Sequence, residues 1–172
     1  MQPILEAQHI SKSFHRHGTV LPVLQDCSFS VSRGEAVSIM GASGSGKSTL
    51  LNILGGLEWP DEGQILAGGE PLPLTNRKAL ENWRSKGVGF VFQFHFLLPD
   101  FSALENLLIP VRAVRNLIPE DHERAHQFLD ILGLSQRSGH LPGEMSGGEQ
   151  QRVAVARAFM NRPGIVLADE PF

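Results

Sequence analysis

Cys27, Phe29 and Val31 alternate with Ser28, Ser30 and Ser32, and that period of two predicts a half-buried strand. Residues 36–40 form a short apolar run ending at Gly41, which predicts a buried strand. Strong helix formers across 47–57, stopping at Gly55 and Gly56, predict a helix. A short strand is expected over 64–67, after the turn Pro60-Asp61-Glu62-Gly63. Thr75 is placed to cap a helix running to about residue 86, and 88–92 reads as another buried strand. Further on, Ser102 and Glu105 make a capping box ahead of Leu104, Leu107, Leu108 and Val111 at helical spacing. Pro110 should kink or shorten that helix. Pro119 opens the next one, where Ala125, Phe128, Leu129 and Leu132 repeat as i, i+3, i+4, i+7 before Gly133. Ser146 and Glu149 form a second capping box before an Ala-rich helix through 160, and 165–168 is an apolar run ending in Asp169 and Glu170. Strands alternating with helices in the second half predict a mostly parallel α/β sheet, and the first third adds an antiparallel β portion.

Composition narrows this picture. The 172 residues carry 15 Lys+Arg against 18 Asp+Glu, which argues against a general nucleic-acid binder with its clustered basic excess. A single cysteine, Cys27, expected in the core, leaves no internal disulfide framework and no cysteine zinc site, as suits a reducing compartment. No stretch approaches the ~18 apolar residues of a membrane span, and the first ten residues do not read as a signal peptide. Work at a membrane would therefore need a partner to hold the chain there.

Three motifs carry chemistry. Gly41-Ala42-Ser43-Gly44-Ser45-Gly46-Lys47-Ser48 fits G-x-x-x-x-G-K-[ST] and falls between a predicted strand and a predicted helix. Its glycines let backbone N–H groups cradle phosphate oxygens, the helix N-terminus adds positive partial charge, Lys47 suits the β- and γ-phosphates, and the Ser48 hydroxyl suits Mg²⁺. Thr49 completes the nucleotide-binding set, and ATP with Mg²⁺ is the expected ligand. Ile165-Val166-Leu167-Ala168-Asp169-Glu170 is an apolar strand ending in two acids, a Walker B pattern. Asp169 suits the Mg²⁺ shell and Glu170 suits the attacking water. Third, Met145-Ser146-Gly147-Gly148-Glu149-Gln150-Gln151-Arg152 reads both as a capped helix start and as an anion-binding helix N-terminus.

With the phosphate loop and the acidic strand end in this order, that third motif resembles the signature of ABC-type ATPases, usually L-S-G-G-Q. The resemblance covers nearly the whole chain and implies a P-loop α/β domain over 1–172 with a helical subdomain at about 95–145. It implies that Phe14 stacks on adenine, where tyrosine is commoner and core packing is the alternative. It implies that Gln93 touches metal and water, so that Gln93 and Glu170 are the catalytic pair and Ser48, Gln93 and Asp169 the metal set. Ser146, Gly147, Gly148 and Glu149 would act in trans, on nucleotide bound by a second copy in a head-to-tail homodimer. The run Gln93-Phe94-His95-Phe96-Leu97-Leu98-Pro99-Asp100-Phe101-Ser102-Ala103-Leu104-Glu105-Asn106 is similar to the lipoprotein-releasing branch of that family, with the macrolide-export and cell-division branches as alternatives. That branch implies permease subunits as partners, lipoprotein cargo handled indirectly, no nucleic acid, and a peripheral place on the cytoplasmic face of the inner membrane. The apolar loop 94–101 is expected to dock the permease, with core packing as the alternative reading. His95 as a catalytic base is the less favoured reading of that residue.

The chain departs from the family pattern at its end. Pro171 is followed by Phe172 in place of threonine, and no D-loop, histidine switch or further strand follows. The expectation is that two buried strands lack a hydrogen-bonding neighbour, which is costly, and that turnover is low. An energising ATPase subunit and a non-hydrolysing nucleotide-binding remnant both remain open, with a P-loop kinase disfavoured by the signature motif.

Overall fold

The period-two alternation becomes the long hairpin that opens the protein. β1 (Leu5–Arg16) and β2 (Thr19–Val31) pair antiparallel, and β3 (Glu62–Ala67) and β4 (Glu70–Pro71) extend the sheet in the order β2-β1-β3-β4. Cys27, Phe29 and Val31 are half-buried while Ser28 and Ser30 are exposed, so the cysteine is not a core residue. The computed structural model describes residues 2–16 and 18–170. Pro171, and Phe172 where threonine was expected, lie outside the described residues. The chain divides into two compact units, Met1–Glu81 and Asn82–Phe172.

In the first unit, α1 (Lys47–Leu54) follows the phosphate-loop sequence and ends at Gly55. Leu50, Ile53 and Leu54 are its buried face, and Leu5, Ala7, Ile10 and Ile65 are among the fully buried positions of the sheet. The strand expected over 36–40 does not form. Among the described residues no strand pairs with this run, and Val37 and Met40 are 49% and 89% exposed. An apolar run becomes a strand only when a neighbour takes its backbone hydrogen bonds. α2 (Arg77–Asn82) is capped not by Thr75, as expected, but by Asn76 one residue later, whose Oδ1 accepts from the Ala79 N–H at 3.1 Å. A π-helical turn, Trp83–Gly87, follows.

The second unit holds β5 (Val88–Val91) and β6 (Ile165–Ala168), paired parallel from Val88↔Ile165 to Val91↔Ala168. α3 (Ala103–Arg112), α4 (Pro119–Ile131) and α5 (Gly147–Phe159) supply a helical core around Leu107, Leu129 and Val153. Pro110 lies inside α3, which continues past it to Arg112, with Ala113 N–H donating to Ile109 O at 3.0 Å. α4 closes as expected: Gly133 N–H donates to Asp130 O at 2.9 Å and Leu134 N–H to Leu129 O at 2.7 Å, and both leucines are buried. α5 lies hard against β5, because a Cβ on Gly89 would collide with the Ala158 carbonyl.

Candidate functional site

Gly46 is the N-cap of α1, with φ +93° and no side-chain cap bond, and no acidic residue sits in the first turn. The leading N–H groups of α1 therefore have no internal anion, and the helix dipole adds positive partial charge there. Gly46 is required for two reasons. Its φ is left-handed, and a Cβ would lie 2.8 Å from Val23 Cγ1 and 3.0 Å from Val23 O. Val23 is the extra residue of a bulge, since the register passes from Lys12↔Leu24 to Ser13↔Pro22. The phosphate loop is thus seated on the hairpin. Lys47 Nζ donates to Gly41 O at 2.9 Å and Ala42 O at 3.0 Å, so its ammonium is held at the loop's own start. Gly41, Ala42, Ser43, Gly44, Ser45 and Ser48 are exposed and Thr49 is half-buried. Phe14 stands on the same hairpin opposite Leu21, 38% exposed, which argues against the core-packing alternative.

In the second unit, Gln93 and Glu170 come from the ends of β5 and β6, where the parallel register carries them side by side. Gln93 Nε2 donates to Glu170 Oε2 at 2.9 Å. The ladder continues one step past the strands, with Asp169 N–H donating to Val91 O at 2.9 Å. Glu170 is exposed and Asp169 half-buried, and Glu170 holds a left-handed φ of +44°. A non-glycine residue in that region stores strain, as functional positions often do. Among the described residues no group of three or more His, Cys, Asp or Glu could hold a metal. Within the second unit, the Asp169 carboxylate at the end of β6 is a donor of the kind Mg²⁺ takes alongside phosphate and water oxygens.

Ser146 caps α5 with the expected box: Ser146 N–H donates to Glu149 Oε2 at 2.7 Å, and Glu149 N–H to Ser146 Oγ at 3.3 Å. Arg137 Nε reaches Glu149 Oε1 at 3.0 Å. The Ser146 backbone bond first, then its hydroxyl and Arg137, hold the Glu149 carboxyl below the usual value. A Cβ on Gly147 would meet nothing within 4 Å, so the backbone at this helix start is open to a ligand.

Two residues that hold the loop after Gln93 were not legible as such. Arg157, on α5, donates from Nη1 to Phe96 O and from Nη2 to His95 O, both at 2.8 Å. Desolvation depresses its pKa, the mark of a guanidinium drawn into the fold. Asn106, fully buried on α3, accepts from Leu98 N–H at 2.9 Å and donates to Leu98 O, Phe101 O and Ser102 O at 3.1, 2.8 and 3.1 Å. The available signal was a polar residue inside each helix's apolar stripe. Between these staples the loop displays apolar surface: Phe94, Phe96 and Leu98 are 70%, 62% and 43% exposed. Leu97 turns in against the helical core.

The family model described as "ABC transporter" matches residues 24–172. The chain belongs to the ABC transporter family. The ABC domain here is an ATP-binding domain whose enzymatic class is ATP hydrolysis in a transport complex. It is 47% identical over 168 residues to the lipoprotein-releasing system ATP-binding protein LolD of Pseudomonas syringae pv. tomato, covering 98% of this chain and 74% of that one. The LolD protein of Cytophaga hutchinsonii is 51% identical over 171 residues, with 99% and 76% covered. Among solved structures, the ATP-binding cassette MJ0796, described as dimeric in a post-hydrolysis state bound to ADP and Pi, superposes with a TM-score of 0.90. It is 37% identical, with 97% of this chain and 74% of that one covered. Among the described residues no helix is long and apolar enough to cross a membrane.

Proposed function

We propose that this ABC domain is the ATP-hydrolysing subunit of a lipoprotein-releasing transporter, bound to permease subunits at the cytoplasmic face of the inner membrane. In this reading the exposed N–H groups of residues 41–48 hold the phosphates of ATP, Lys47 neutralises the β/γ charge, and Phe14 stacks on the base. The Ser48 hydroxyl, Gln93 and Asp169 hold Mg²⁺, which when bound neutralises phosphate charge. Glu170 takes the proton of the attacking water, and Gln93 holds that carboxylate in place by its amide. Ser146, Gly147 and Gly148 offer their helix N-terminus to the nucleotide of a second copy in a head-to-tail homodimer. The helical segment of about 95–145 acts as a subdomain between that signature and the permease.

The observation that carries the hydrolytic reading is the Gln93–Glu170 contact at 2.9 Å, which unites two strand-end residues 77 positions apart. The exposed Phe94, Phe96 and Leu98 support the permease reading, because an apolar loop surface suits a groove receiving a cytoplasmic helix. The lipoprotein assignment rests on the likeness to LolD. The test has two parts. In the assembled transporter, Glu170→Gln should lower phosphate release at saturating MgATP by about 100-fold or more; unchanged turnover would remove Glu170 from its role. Phe96→Asp with Leu98→Asp should abolish co-purification with the permease while the chain stays folded; unfolding would return the loop to a packing role.

A further inference from the structure

Phe14 does not stand alone on its hairpin. Lys12 Nζ lies over its ring, 5.5 Å from the centroid. The two side chains share a face of β1, and the bulge at Val23 lies in the same stretch, so the ring and the phosphate loop hang on one local distortion. The ammonium is itself fixed. It donates to Asp61 Oδ1 at 3.0 Å and lies 3.9 Å from Glu58 Oε1, and its side chain is only 14% exposed. Asp61 in turn accepts the Ser13 N–H on Oδ2 at 2.7 Å, in the backbone between Lys12 and Phe14. Asp61 and Glu58 belong to the segment that joins α1 to β3. The chain leaving the phosphate-loop helix therefore reaches back to pin the cation behind the ring.

We propose that Lys12, clamped by Asp61 and Glu58, is a positioning residue for the nucleotide base: it backs the Phe14 ring and fixes the face on which adenine stacks. This rests on the reading of Phe14 as the base platform. The physical case is that Phe14 has no hydroxyl to anchor it and is exposed, so an unbacked ring would spend much of its time in other rotamers. A desolvated ammonium over one face holds the ring by cation–π attraction and leaves the opposite face for a base.

The test is MgATP affinity measured by calorimetry on the whole chain for Phe14→Ala, Lys12→Met, their double variant, Lys12→Arg and Asp61→Asn. Lys12→Met keeps the apolar stem and should weaken ATP about fivefold. Lys12→Arg should restore affinity to within about twofold, and Asp61→Asn should weaken it in the same direction as Lys12→Met but less. The double variant should lose no more than Phe14→Ala alone, because Lys12 acts only through the ring. Unchanged ATP affinity in Lys12→Met, or a double loss equal to the product of the two single losses, overturns the role of Lys12. If Phe14→Ala itself leaves ATP affinity unchanged, the base platform is what fails, and the proposal falls with it.

Discussion

Three apolar runs lead into chemistry in this chain; two of them pair and the third does not. Residues 88–91 and 165–168 find each other, form a parallel ladder, and deliver Gln93 to Glu170 at 2.9 Å. Residues 36–40 are as apolar but have no ladder neighbour among the described residues, and they remain exposed ahead of the phosphate loop. The phosphate loop nevertheless keeps its turn, because Gly46 is seated against the bulge at Val23 rather than held by the run before it. One site residue can thus depend on strand pairing while another depends on a local close approach.

The comparison breaks most visibly at Val91. It is 3% exposed in β5, so Val91→Asp should cost about 4 kcal/mol or more in urea unfolding, through an unpaired buried carboxylate. A cost under about 1 kcal/mol would show that the ladder does not organise this unit. Asn106→Ala comes next, at about 3 kcal/mol, since Leu98 N–H and three carbonyls lose their partner. The same variant should make the 98–102 backbone exchange hydrogen faster while β5 keeps its protection.

Acid should sharpen the contrast within the second unit. Asp121 is held below the usual carboxylate range by Arg115, whose Nη1 and Nη2 both donate at 2.7 Å, against an opposing desolvation. Its folded pKa is below the unfolded ~3.9, so its contribution is complete above about pH 5 and lost as pH falls through the folded value. The stability gap between wild type and Asp121→Asn, followed from pH 6 down to pH 2, should close below about pH 4. A gap that widens on acidification would contradict the assigned direction. The smallest effect belongs to the exposed run: Val37→Asp should change stability by less than about 0.5 kcal/mol, and a large loss would mean that residues 36–40 are packed after all.

What was legible in the sequence follows the range of the interactions. The caps at Ser102 and Ser146, the closure at Gly133 and the alternation at Cys27, Phe29 and Val31 are local, written within a few residues, and all are present. The cap of α2 moved from Thr75 to Asn76 because both side chains can cap and the pattern does not fix a single residue. The strand expected over 36–40 does not form because an apolar run states what wants burial, not what will pair with it. Arg157 reaches carbonyls 61 and 62 residues away, and Lys12 reaches Asp61 across 49. Such partners carry no spacing signal. Only the oddity of a charge or an amide among apolar helix positions marks Arg157 and Asn106 in advance.

In the proposed function, residues 41–48 form a working phosphate site whose charge is supplied by Lys47. Titration of MgATP into the whole chain, wild type against Lys47→Ala, tests it most directly. ATP binding would exchange the ammonium's bonds to Gly41 O and Ala42 O for phosphate oxygens, a charge-assisted contact. The wild type should bind saturably, and the variant should lose about tenfold or more in affinity. Equal ATP affinity in the two proteins would contradict it.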